Sequence, residues 1–158
     1  MEERGVTQDD PHGAADDDAL LQIYNRELMA LSAQAAAPKK LPRADARARA
    51  VSAVCGSEVT VELALDGDRI AAFGYAVEAC SLTKAVVAVM ARAAIGKSRA
   101  DIARAAADLR AMMEAGAPAP AGDWAGLKIL EPVIGYKSRH DTVLLPFAAV
   151  EKAFAEKD

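Results

Sequence analysis

The chain has 158 residues, with 19 basic side chains against 23 acidic ones, a net charge of −4 and a pI near 5.2. That length suits one domain with a modest core. The acidic balance argues against a nucleic-acid footprint, which needs a basic patch or stripe. No apolar run approaches the roughly 18–20 residues of a membrane span. The N-terminus lacks the basic-then-apolar pattern of an export signal, so the expected setting is cytoplasmic. Hydrophobic residues make up 53% of the chain but aromatics only 4%, so the core is expected to consist of small aliphatics with few large anchors.

Residues 1–18 are polar and acidic and read as a disordered tail, with His12 solvated within it. Residues 19–158 read as one domain. Leu20, Ile23, Tyr24, Leu28 and Leu31 recur at helical spacing, with Asp18 available as N-cap. This helix is expected to end in the Ala-rich stretch before Pro38, where Pro38, Lys39, Lys40 and Pro42 make a basic loop. Residues 45–54 are weakly strand-like. Val59, Val61, Leu63 and Leu65 then alternate with Glu58, Thr60, Glu62 and Ala64, which is the pattern of a strand with one buried face. Asp66-Gly67 is a hairpin signal. Ile70–Val77 is the partner strand, with Phe73, Tyr75 and Val77 on one face.

Ser81–Ile95 carries a helical stripe of Leu82, Val86, Val89, Met90 and Ala93, with Gly96 as the C-cap. Ser98 with Asp101 three residues on predicts a capping box for a further helix through Ile102, Ala106, Leu109 and Met113. Residues 117–122 read as a loop, and Trp124, Leu127, Ile129 and Leu130 as a short packing segment. Pro132–Thr142 reads as irregular and polar. Pro146 is placed in the first turn of a last helix, whose inner face is Phe147, Val150 and Phe154.

The chain has two cysteines. Cys55 precedes one hairpin strand and Cys80 follows its partner, so antiparallel pairing is expected to bring the two thiols together. Without an export signal, two cysteines point to metal binding or reactivity more than to a disulfide. Thiols at the mouths of regular elements have the access that reactivity requires. The alternative is two buried, inert thiols.

In order and spacing these pieces resemble the NifU/IscU-type iron–sulfur cluster assembly scaffolds, from about Leu21 to Phe154. Ile23-Tyr24-Asn25-Arg26-Glu27 is similar to the family's opening helix. Cys55-Gly56-Ser57-Glu58-Val59-Thr60-Val61 and Asp66-Gly67-Asp68-Arg69-Ile70 follow its Cys-Gly-Asp strand and hairpin. Ala79-Cys80-Ser81-Leu82-Thr83-Lys84-Ala85 and Gly96-Lys97-Ser98 follow its second cysteine helix and the Gly-Lys-Ser/Thr step that ends it. Residues 139–147 occupy the place of its third cysteine segment, with Phe147 for a Trp. The resemblance implies an α+β fold of the SufE/NifU-like kind, a small three-stranded antiparallel sheet packed against helices with the ligand site at one end of the sheet. It implies a scaffold or carrier and not a turnover enzyme.

The departures are informative. The resemblance implies three cysteines and an aspartate as ligands, with a histidine available in some members. Here Ser57 stands for the aspartate and Thr142 for the third cysteine, which leaves Cys55 and Cys80, with His140 and Asp141 available to complete the set. Ser57 and Thr142 are expected to keep local structure by hydrogen bonding. Such a set could hold a [2Fe–2S] cluster in one chain, or share one between two chains of a homodimer. Zinc is a competing occupant. Lys84, Lys137 and Arg139 supply nearby positive charge. The implied partners are a cysteine desulfurase that donates sulfur and the apo iron–sulfur proteins that receive the cluster. The rival readings are a zinc-binding persulfide acceptor that activates the desulfurase, and a diverged interaction protein without metal.

Overall fold

The computed structural model describes residues 24–53 and 56–157. The expected acidic tail, His12, the Asp18 cap, Leu20, Ile23 and Cys55 lie outside the described residues. The described chain is a three-stranded antiparallel sheet, in the order β1–β2–β3, with helices packed on one face. The α+β expectation holds.

Helix α1 spans Arg26–Ala33, and Asn25 caps it by accepting from the Leu28 N–H at 2.9 Å. Strands β1 (Ala46–Val51), β2 (Glu58–Asp66) and β3 (Arg69–Glu78) form a meander. The β2–β3 turn leaves only Gly67 and Asp68 unpaired, with Gly67 at φ +63°, a conformation that glycine adopts without a Cβ clash. The register sets Val59, Val61 and Leu63 opposite Val77, Tyr75 and Phe73. A register shift between Ala64 and Leu65 brings Ile70, one residue out of phase with Phe73, into the core as well.

The alternation read for β2 breaks at two places: Leu65 is only half-buried, and Glu62 is buried. Its carboxylate accepts from the Leu41 N–H at 3.0 Å and lies 3.6 Å from Arg47 Nε. Gly74 sits opposite Glu62. The chain at Lys39 and Leu41 crosses so close that a Cβ on Gly74 would lie 2.7 Å from the Lys39 carbonyl oxygen. Lys39 and Tyr75 exchange two backbone hydrogen bonds on the free edge of β3.

Helix α2 spans Ser81–Ala93, α3 spans Arg99–Ala115 and α4 spans His140–Lys157. Helix α1 packs along α2, while α4 lies across β1 and β2 and against α2 and α3. Many of the contacting positions are alanines, among them Ala85, Ala93, Ala105, Ala149 and Ala153, all buried. Small side chains let the helices approach one another closely, as the composition suggested. Helix α2 is closed by Ala94 as its C-cap and not by the expected Gly96, whose N–H lies beyond the helix and donates to the Ile70 carbonyl at 2.7 Å instead. The Ser98–Asp101 capping box forms as read.

Two differences stand out in the C-terminal third. Residues Gly122–Val133 form a long 3-10 segment that buries Trp124, Leu127, Leu130 and Val133 under α2 and α3. The Trp124 and Phe147 rings sit 5.3 Å apart. Helix α4 starts at His140, not at Pro146, so His140, Asp141 and Thr142 form its first turn. Position 146 has no N–H for the Thr142 carbonyl. The buried Thr83 hydroxyl of α2 donates to that carbonyl at 3.2 Å instead, which lets the helix run through the proline.

Candidate functional site

Because Glu58 pairs with Glu78, the residues just before β2 and just after β3 meet at one end of the sheet. A cavity of about 270 Å³ opens there. Gly56 and Ser57 line it from the β2 side, Glu78, Ala79 and Cys80 from the β3–α2 step, and Arg139 and Thr142 from the start of α4. The β1–β2 loop is tied at its base, with the Ser52 N–H donating to the Ser57 carbonyl at 2.8 Å and the Gly56 N–H to the Ser52 carbonyl at 2.9 Å.

Cys80 is a free cysteine at the N-cap of α2. Its backbone is extended (φ −71°, ψ 171°), and its side chain makes no cap hydrogen bond. The sulfur is therefore not used by the helix, whose partially positive N-terminal end lies beside it. Among the described residues the Thr83 hydroxyl is its hydrogen-bonding neighbour, 3.7 Å away. Thr83 is fully buried, and Ser57 and Thr142 nearly so.

Arg139 brings a cation to the same wall. Its Nη1 donates to the Tyr24 hydroxyl at 2.9 Å, and its guanidinium carbon lies 5.8 Å from the centre of that ring. Burial raises the Tyr24 phenol above its ordinary range, the Arg139 charge opposes this, and Cys80 adds to the rise.

The other expected ligands fall elsewhere. His140 Nε2 lies 3.0 Å from the Ile134 carbonyl oxygen. A carbonyl only accepts, so Nε2 donates and the neutral ring keeps its lone pair on Nδ1. Asp141 lines a larger cleft of about 570 Å³, between α3, α4 and residues 51–53. Cys55 lies outside the described residues, while the two residues that follow it share the Cys80 cavity. Among the described residues no three His, Cys, Asp or Glu side chains form a metal-holding group. Among the described residues, Cys80, Glu78, Ser57 and Thr142 are the residues with metal-donor side chains that line this cavity, and by themselves they are less than a closed tetrahedral set of thiolates and imidazoles. Sequence reasoning passed over Glu78, although its position two residues before Cys80 at a strand end could have marked it. Among the described residues no helix is long and apolar enough to cross a membrane.

Neither profiles of known protein families nor curated proteins match the chain. Solved structures do. A nitrogen-fixing NifU-like protein (N-terminal) from Brucella abortus is 34% identical, with a TM-score of 0.81 over 88% of this chain and 96% of that one. A putative iron–sulfur cluster assembly scaffold protein for the SUF system, from Fervidobacterium islandicum, is 25% identical, with a TM-score of 0.74 over 84% of this chain and 97% of that one. A hypothetical protein at 23% identity and a TM-score of 0.70, over 83% of this chain and 98% of that one, shares the fold.

Proposed function

Because the chain belongs to the family of NifU-like N-terminal domains, we propose that it is an iron–sulfur cluster assembly scaffold or carrier and not a turnover enzyme. The observation that carries this reading is the Cys80 sulfur, free of any capping role, on the wall of a cavity at the end of the sheet. A cysteine desulfurase supplies sulfur to Cys80 or Cys55, and the cargo, a [2Fe–2S] cluster, passes on to apo-proteins. Cys55 and Cys80 are the anchoring thiolates. His140 through Nδ1, or Asp141, completes the set after rearrangement, or a second chain does so in a homodimer. With Ser57 and Thr142 where thiolate or carboxylate ligands would tighten the hold, the cluster is bound loosely, which suits a protein that must give it away. The cytoplasm, where thiols stay reduced, is the matching compartment.

A second reading has its own support. The Arg139 guanidinium on the cavity wall suits an anionic sulfur load on Cys80. A persulfide acceptor that activates the desulfurase, with zinc bound in its resting form, would use the same thiol.

Anaerobic reconstitution with iron, sulfide and a desulfurase separates the two. A sulfide-to-iron absorption band lost in Cys80→Ser and in Cys55→Ser supports the scaffold, and the iron-to-chain ratio reads out sharing between chains. Absence of the band, with zinc held by the wild type and lost by the variants, supports the acceptor. No band and no metal would leave a diverged interaction protein.

A further inference from the structure

Three groups form a line across the α2–α4 contact. Cys80 Sγ lies 3.7 Å from Thr83 Oγ1, and Thr83 Oγ1 donates to the Thr142 carbonyl at 3.2 Å. A hydroxyl has one proton to give. With that proton spent on the carbonyl, the only hydrogen bond left between Thr83 and a bare Cys80 thiol runs from S–H to Oγ1. The carbonyl cannot take the next donor along its own helix, because residue 146 is proline.

From this we propose that Thr83 is a positioning residue that reports the load on Cys80 to the first turn of α4. The proposal rests on Cys80 being the sulfur-accepting thiol of the preceding subsection. Cys80 first gives its S–H proton to solvent, and when the resulting thiolate attacks a sulfane sulfur, a new S–S bond forms to Sγ. The donor's S–S bond breaks, and its electron pair leaves with the shortened donor. Sγ then has no proton to give and can only accept. The Thr83 proton now has two claimants, and rotation of one hydroxyl moves it from the Thr142 carbonyl to the sulfur. Thr142 loses that clasp, and proline cannot replace it. The turn that loosens carries His140 and Asp141 and follows directly on Arg139, on the wall of the cavity itself.

The experiment is amide hydrogen exchange over residues 140–145 in the full chain. It uses a Cys55→Ser background so that only Cys80 takes a load, and inorganic polysulfide as the sulfur donor. Mass spectrometry counts the sulfur added. Four forms are compared, bare and loaded: the background itself, Thr83→Val, Thr83→Ser and Pro146→Ala. Bare Thr83→Val should exchange about five- to tenfold faster than the background, as the loss of one hydrogen bond implies, and loading should not change it further. The background and Thr83→Ser should speed up by a similar factor on loading. Pro146→Ala, whose new N–H takes the Thr142 carbonyl, should stay slow in both states. Equal exchange in bare and loaded background, with sulfur present, overturns the coupling. Bare Thr83→Val matching the background overturns the clasp. A Cys80 that takes up no sulfur overturns the sulfur-accepting reading and the coupling that rests on it, while the bare comparison still judges the clasp by itself.

Discussion

Arg139 holds Tyr24 twice, by a hydrogen bond to its hydroxyl and by a cation over its ring. The contact fastens the residue just ahead of α1 to the wall beside Cys80, across 115 positions of sequence. Arg139→Met should cost about 1–2 kcal/mol of stability, from one hydrogen bond and one cation–π contact, measured by chemical denaturation. It also removes the charge that opposes the burial-driven rise of the Tyr24 phenol. Tyr24 in the variant should therefore ionise at a higher pH than in the wild type, read by phenolate absorbance with Tyr75 and Tyr136 changed to Phe. A raised phenol pKa stabilises the fold below the unfolded value near 10.0, and this contribution is lost as pH climbs through the folded value. The variant should keep it to higher pH. An unchanged Tyr24 titration would mean that the guanidinium does not act on the phenol.

The Ser98–Asp101 capping box makes an acid-side prediction. Hydrogen bonds from the Ser98 backbone and hydroxyl hold the Asp101 carboxyl below its ordinary value of 3.8, and the charges of Arg69 and Arg104 act in the same direction. A depressed carboxyl stabilises the fold above the unfolded pKa, and that stability drains away as pH falls through the folded one. Asp101→Asn should flatten this part of the stability curve between pH 5 and about 3. Ser98→Ala should cost about 1 kcal/mol at neutral pH. Identical acid limbs for wild type and Asp101→Asn would remove Asp101 from the account.

Gly74→Ala tests the crossing over the outer face of the sheet. The added carbon would meet the Lys39 carbonyl at 2.7 Å and Leu41 Cγ at 2.9 Å, and backbone cannot turn aside as a long side chain can. We expect a loss of about 1–3 kcal/mol in a denaturant titration, with exposure of the Lys39–Tyr75 amides to hydrogen exchange. A neutral Gly74→Ala would show that this crossing yields freely.

Thr142→Cys adds a thiol to the wall that already carries Cys80. After anaerobic reconstitution the variant should release its cluster to a chelator more slowly than the wild type, followed as decay of visible absorbance. Cys80→Ser should take up none. Equal release from Thr142→Cys and wild type would argue that position 142 does not face the cargo.

Much of the fold was readable because its signals are local. The alternation from Val59 to Leu65 and the Asp66-Gly67 pair mark the hairpin, and Ser98 with Asp101 marks the start of α3. The start of α4 was misread because a proline is most at home in a helix's first turn. Its tolerance at the seventh position depends on a hydroxyl 63 residues earlier, and no window of sequence contains both. The burial of Glu62 was hidden for the same reason, since its partner is the backbone of Leu41 in a loop. Within the site, the placement of Cys80 followed from the strand-to-helix step. The presence of Arg139 and Glu78 on its wall, and the separate cleft that holds Asp141, come from how α4 crosses the sheet.

The pairing of Lys39 with Tyr75 has a consequence beyond local structure. An unpaired strand edge is an invitation to another chain. Here β3 has part of its outer edge filled by its own N-terminal loop, and β1 at the opposite side carries exposed Arg47 and Arg49 tied to Glu62 and Glu58. A foreign strand would have to displace one and strand charges beside the other. Growth of the sheet into fibrils or mismatched dimers is discouraged at both flanks, so the open end around Cys80 can receive visitors without making the molecule sticky along its sides.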